Sequence, residues 1–220
     1  MEIPILTYAD YLTSDTYTRN EEFAACKFVK CIKGEKFQGY ATVSDGKGWV
    51  KLQVGDRSKA VNAFALLASK RFTLIAPTIF VPIPGSKTHI QSQTPSPMFD
   101  VATAIAAQFN LAAKATVASA QDILAWDQVM TSAHHGGGPR SPELLYPHLT
   151  ARIQLTHGMR VILVDDVMTT GGHIRACAAF LENKFSANVV ATVCLGRTVD
   201  ISSASPLGWQ DSILPRYFPV

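Results

Sequence analysis

A chain of 220 residues with 47% hydrophobic side chains can bury the core of one α/β domain with elaborations, and it is too apolar for disorder. Twenty basic residues against 17 acidic ones give a net charge of +3 and a pI near 8.7, with no basic block. That argues for an ordinary solvated surface over a nucleic-acid stripe and suits a small anionic substrate. No apolar run approaches the roughly 20 residues of a membrane span, and the opening MEIPILTYADYLTSD, without a basic start or a long apolar core, predicts no signal peptide.

In chain order, CKFVKCIKG and GWVKLQVG alternate enough to predict short strands, separated by the turn-like SDGKG. RSKAVNAFALLASKRF follows with apolar residues at helical spacing. Residues 1–72 are therefore expected to form an N-terminal lobe. From Thr73 strands and helices alternate. A strand is expected over Ile79 to Ile83, and an amphipathic helix in PMFDVATAIAAQFN after Pro97. AKATVASA reads as a second strand and RVILVDD as a third, whose unbroken apolar run from Val161 to Val164 suits a strand covered on both faces. HIRACAAFLENKF reads as a helix and NVVATVCLG as a fourth strand. This order predicts an α/β core over residues 73–196 with a doubly wound, mostly parallel sheet, followed by a tail over 197–220. Of the four cysteines, Cys26 and Cys31 form no CxxC pair, and Cys177 and Cys194 fall in apolar segments. They predict buried, reduced thiols in a cytoplasmic protein without structural zinc.

VILVDDVMTTGGH, Val161 to His173, is the informative stretch. It puts Asp165 and Asp166 at the carboxyl end of a central strand, where ligands of such sheets bind. The helix that follows opens with unpaired backbone N–H groups and the positive end of its dipole, an anion site. Thr169 and Thr170 add hydroxyl donors, and Gly171 and Gly172 permit close approach and positive φ. The carboxylates cannot serve a phosphate, but they can accept hydrogen bonds from neutral hydroxyls. A ribose 5-phosphate answers both demands: its 2′ and 3′ hydroxyls meet Asp165 and Asp166, and its phosphate meets Val167, Met168, Thr169, Thr170, Gly171 and Gly172. Neither GxxxxGK[ST] nor GxGxxG after a strand is present.

The string resembles the phosphoribosyl-pyrophosphate motif of the type I phosphoribosyltransferases: a hydrophobic strand, two acidic residues, then a Thr-Thr-Gly loop. The chain departs from it at His173, where the family usually has Thr or Ser. FVPIPGSKTH resembles the PxP pyrophosphate loop of the subgroup related to the competence protein ComF, with Pro84, Gly85, Ser86 and Lys87 at the ligand. The resemblance further implies a mobile loop, for which Ser119 to His157 is the candidate, bringing Arg140 or a histidine (His134, His135) over the pyrophosphate and excluding water. It implies Mg²⁺ on the pyrophosphate and ribose hydroxyls, held by Asp165 and Asp166 directly or through water. It also implies a hood over the acceptor base, formed by the N-terminal lobe, the tail or both. In the tail Trp209, Tyr217 and Phe218 could stack on a base. The expected reaction is transfer of phosphoribosyl to a nitrogenous base with release of pyrophosphate, catalysed chiefly by Asp165, Asp166, Lys87 and Arg140. Two alternatives stand beside it: a non-catalytic regulatory or accessory protein that binds phosphoribosyl pyrophosphate or a nucleotide, and a nucleotide hydrolase or phosphorylase using the same pocket. A homodimer is the common state in that family, and no membrane or nucleic-acid partner is expected.

Overall fold

The structure, a computed structural model, describes residues 2–12, 17–131 and 140–219. Its elements in chain order are β1 (Glu2–Leu12), α1 (Asn20–Lys33), β2 (Ala41–Ser44), β3 (Trp49–Leu52), α2 (Arg57–Arg71), β4 (Thr78–Pro82), α3 (Phe99–Ala113), β5 (Ala118–Ala120), β6 (Leu124–Trp126), α4 (Pro142–Leu145), β7 (Leu149–Ala151), β8 (Arg160–Met168), α5 (Gly172–Phe185), β9 (Asn188–Val199) and β10 (Leu207–Pro215). The main sheet runs β10-β1-β9-β8-β4-β5. Every neighbouring pair in it is parallel except β1 with β10. This is the mixed α/β architecture with a mostly parallel sheet that the alternation predicts.

Both faces of the sheet are covered. Side chains alternate along each strand. Phe80, Ile162, Val164, Val193 and Leu195 face a core shared with α1, α2 and α3. Ile79, Val81, Val161, Leu163 and Cys194 face a second core shared with α4, α5 and the β6–β7 hairpin. Two-sided burial is why β4 and the first half of β8 read as unbroken apolar runs. All four cysteines are free and buried. Among the described residues no helix is long and apolar enough to cross a membrane.

The structure adds to the sequence-based outline in three places. CKFVKCIKG lies in α1, not in a strand. Ala25, Phe28, Val29 and Ile32 are buried at i, i+3, i+4 and i+7, which is one face of a helix. The end signals agree with a helix: Glu21 and Glu22 stand in the first turn, and Gly34 at φ 74° follows the last. Second, the main sheet takes strands from both sides of residues 72 and 196. β1, from the supposed lobe, lies between β9 and β10, and β10 comes from the supposed tail. Third, the segment proposed as one long mobile loop contains β6, α4 and β7, with β6 and β7 paired antiparallel. Its residues 132–139, including His134 and His135, lie outside the described residues.

Topology fixes where a ligand can enter. After β4 the chain crosses by α3, on the first face, to β5 at the sheet edge. After β8 it crosses by α5, on the second face, to β9. β4 and β8 are adjacent and parallel, so the loops at their carboxyl ends part in opposite directions and leave a crevice between them.

Candidate functional site

A cavity of about 510 Å³ opens at that crevice. Its walls include every residue of the proposed site: Pro84, Gly85, Ser86 and Lys87 after β4, Arg140 before α4, and Asp165 through His173 along β8 and into α5. Residues separated by about 80 positions in the chain thus share one wall because their strands are neighbours.

The carboxylates come first. Val164 is fully buried, whereas Asp165 and Asp166 are half-buried at the strand end. Each accepts a bond from the backbone beside it: Asp166 N–H donates to Asp165 Oδ1 at 2.9 Å, and Val167 N–H donates to Asp166 Oδ1 at 2.6 Å. These local bonds fix the side chains and leave each carboxyl with further acceptor capacity at the cavity wall. Burial, and then the Asp166 charge beside it, push the Asp165 carboxyl up to about 8. Lys33, at the end of α1, reaches Asp166 Oδ2 at 3.5 Å and Glu35 at 2.9 Å. Burial works against the Lys33 charge, but Asp166 and Glu35 outweigh it and raise its pKa.

The phosphate-type cradle follows at once. α5 opens at Gly171, and no described side chain caps it. Its first backbone donors therefore face the cavity. Gly171 has φ 75°, and a Cβ there would lie 2.3 Å from Leu214. Gly172 has an ordinary φ, yet a Cβ there would stand 1.7 Å from the Arg140 carbonyl oxygen. The two glycines thus do different work. One turns the chain under β10, and the other admits the backbone that carries Arg140. Thr169 and Thr170 are exposed on the loop, and the Thr169 hydroxyl lies 3.1 Å from that of Thr198 on β9. His173 sits with its ring edge-on to Trp126 at 5.8 Å. Burial pushes its imidazole below the ordinary value, against a weaker pull from Asp166, so it meets a ligand as a neutral donor or acceptor.

Trp126 also organises the opposite loop. Its indole N–H donates to the Gly85 carbonyl at 3.1 Å, and that carbonyl also receives Thr88 N–H at 2.8 Å. Met130 N–H donates to the Ser86 carbonyl at 2.8 Å. The fully buried Trp126 therefore braces both His173 and the turn that presents Ser86 and the exposed Lys87.

Sequence reasoning missed the third wall, built from Ile32, Lys33, Arg57, Pro97 and Met98. Arg57 ties it together. Its Nε donates to the Ile32 carbonyl at 2.6 Å, and its terminal nitrogens to the Pro97 carbonyl at 3.3 Å and to the Asp100 carboxylate. These residues lie at the ends of three helices and form no string in the sequence. The aromatic residues proposed to stack on a base do not line the cavity. Trp209 packs on Tyr8 at 5.2 Å and Phe64 at 5.8 Å. Tyr217 meets Tyr146 at 5.9 Å, and Phe218 is exposed.

No family model matches the chain, and no curated protein matches it. Solved structures similar to it include an adenine phosphoribosyltransferase at 12% identity and TM-score 0.38, covering 77% of this chain and 89% of that one. Another is the adenine phosphoribosyl transferase of Trypanosoma brucei in complex with AMP, pyrophosphate and ribose-5-phosphate, at 13% identity and TM-score 0.40, covering 79% of each chain. A third is the adenine phosphoribosyltransferase of Leishmania tarentolae, at 11% identity and TM-score 0.36, covering 86% of this chain and 91% of that one.

Proposed function

We propose that this chain binds phosphoribosyl pyrophosphate at the carboxyl ends of β4 and β8 and transfers its phosphoribosyl group to a nitrogenous base, releasing pyrophosphate. The observation that carries this reading is the meeting, in one cavity, of a strand-end carboxylate pair with an uncapped helix N-terminus. The first suits vicinal hydroxyls and the second suits a phosphate. In this reading Asp165 and Asp166 accept hydrogen bonds from the ribose 2′ and 3′ hydroxyls. The 5′-phosphate takes the backbone donors from Val167 to His173 with the hydroxyls of Thr169 and Thr170. The pyrophosphate lies toward Gly85, Ser86, Lys87 and Arg140. Charge then develops between an electron-poor C1 and a departing pyrophosphate, so the work of the protein is positioning and stabilising the leaving group. The wall of Ile32, Lys33, Arg57, Pro97 and Met98 faces the space left for the acceptor and replaces the tail aromatics as its cover.

The donor set suits Mg²⁺ only as a shared ion. Among the described residues no group of three or more His, Cys, Asp or Glu side chains could hold a metal. Asp165 and Asp166 would supply two carboxylates, and substrate oxygens and water the rest. The ion would offset pyrophosphate charge.

The test is calorimetric titration with phosphoribosyl pyrophosphate, with and without Mg²⁺, followed by a screen of bases for pyrophosphate release. Saturable binding with release of pyrophosphate on adding one base supports the transferase. Saturable binding without release by any base would favour the non-catalytic binding protein. A folded chain that binds neither this compound nor ribose 5-phosphate would end the reading.

A further inference from the structure

The β2–β3 hairpin stands apart from the main sheet, and its outer face carries features that the cavity does not use. Trp49 is 77% exposed and Tyr40, just before β2, is 54% exposed. In the hairpin register Ser44 faces Trp49 and Thr42 faces Lys51. Ala41, Val43 and Leu52 turn inward and are buried. Trp49 and Lys51 therefore share the outer face, about 7 Å apart along the strand. The Lys51 ammonium lies 3.9 Å from the centre of the Tyr40 ring, a cation–π pair at an exposed site.

The fold brings more cations to the two ends of this hairpin. Lys27 of α1 donates to the Tyr40 carbonyl at 3.2 Å. Lys70 of α2 donates to the Gly46 carbonyl at 2.6 Å. Lys47 stands in the turn between the strands. The nearby acid, Asp45, is turned onto its own loop, accepting the N–H groups of Lys47 and Gly48 at 2.8 and 2.7 Å. No stripe is visible in the sequence because these lysines come from two helices and a hairpin.

An exposed indole beside a tyrosine offers flat apolar surface, and the lysines around it repel a second copy of the same face. A partner that satisfies both has flat rings and a polyanionic backbone. We propose that the outer face of the β2–β3 hairpin binds single-stranded nucleic acid, with bases stacking on Trp49 and Tyr40 and phosphates held by Lys27, Lys47, Lys51 and Lys70. This inference stands apart from the phosphoribosyl site and does not depend on it.

The experiment is fluorescence anisotropy of the full chain with a fluorescein-labelled oligothymidylate of about 16 nucleotides, and with an oligouridylate of the same length. Binding should be saturable and should weaken as salt is added. Trp49→Ala should weaken it about tenfold or more, and Trp49→Tyr should keep most of it. Lys47→Gln with Lys51→Gln should reduce the salt dependence. The stronger of the two oligomers identifies DNA or RNA as the natural strand. Thermal melts of each variant establish that it is folded, as expected for side chains this exposed. Absence of binding at low salt, or unchanged affinity in a folded Trp49→Ala variant, would overturn the proposal. So would a concentration-dependent dimer, seen by ultracentrifugation, that Trp49→Ala abolishes, or a duplex that competes as well as the single strand.

Discussion

Two strands of this sheet carry aspartate near their carboxyl ends, and the two behave in opposite ways. At the end of β1, Asp10 has a fully buried side chain. It receives Ser203 N–H at 2.6 Å, the Gln210 amide at 3.0 Å and Arg197 Nε at 3.2 Å. Burial alone would raise its pKa, but these donors together outweigh burial and lower it. Glu22 beside it is held low by the Ser202 hydroxyl, by the backbone N–H groups of Thr18 and Arg19, and by the Arg19 side chain. Near the end of β8, Asp165 and Asp166 receive one neighbouring backbone N–H each, Asp166 also has the Lys33 ammonium at 3.5 Å, and Asp165 is pushed up. The first carboxylate is saturated by its own chain and closes the loop after β9. The second keeps acceptor capacity that a ligand can fill. A strand-end aspartate becomes a site where the fold withholds donors.

The largest effect should come from the pair itself. Asp165→Asn with Asp166→Asn should weaken phosphoribosyl pyrophosphate binding at least about 100-fold, removing the acidic pair that accepts the ribose hydroxyls, while circular dichroism stays native. Retained affinity would place the ribose elsewhere. Next is the contrast in stability. Asp10→Ala strands Arg197 and the Ser203 N–H and should cost about 3 kcal/mol, a drop in Tm of about 6–12 °C. Asp165→Asn replaces a carboxyl that burial makes costly to ionise and should raise the Tm of the ligand-free chain by about 2–4 °C. A fall in Tm for both variants would erase the distinction.

Gly172→Ala tests the approach of Arg140. The added Cβ meets a backbone carbonyl, so the chain must shift, at a cost of about 1–3 kcal/mol, with about tenfold weaker ligand binding by calorimetry. An unchanged affinity would separate Arg140 from the ligand. The smallest effect concerns pH. Asp10 and Glu22 are held below their ordinary values of 3.8 and 4.5. Each contributes stability that is fully present above those values and is lost as pH falls through its folded value. Urea unfolding between about pH 6 and pH 3 should show that loss, and Glu22→Gln should flatten it. An identical acid limb in Glu22→Gln would show that Glu22 carries none of it.

The phosphate-type loop was legible because strand, carboxylates, hydroxyls and glycines are contiguous from Val161 to His173. β4, α3, β5 and β9 were legible because their burial is repetitive. β1 was not read as a sheet strand. Its stretch EIPILTYADYL carries Pro4, Thr7 and Asp10, and Asp10 looks like a surface residue until Arg197, Ser203 and Gln210 are seen around it. β10 escaped for a different reason: one of its edges is open, and its exposure alternates only in its second half. α1 was misread because apolar residues alternate with lysines from Cys26 to Lys33 and mimic a strand at short range, and only a window reaching back to Glu21 shows the helical stripe. Lys33 and Arg57 carry no local signal. Their place in the cavity follows from where α1 ends and α2 begins.

Leu214, packed against Gly171, ties the loop after β8 to the final strand, and that strand pairs with the first. Thr7 on β1 bonds the carbonyl of Gln210, 203 positions away. On a ribosome, therefore, β1 emerges well before its sheet neighbours and waits with both edges unpaired until β9 and β10 follow. The loop after β8 acquires its finished packing only when β10 has been released, so ligand-binding competence waits for that strand.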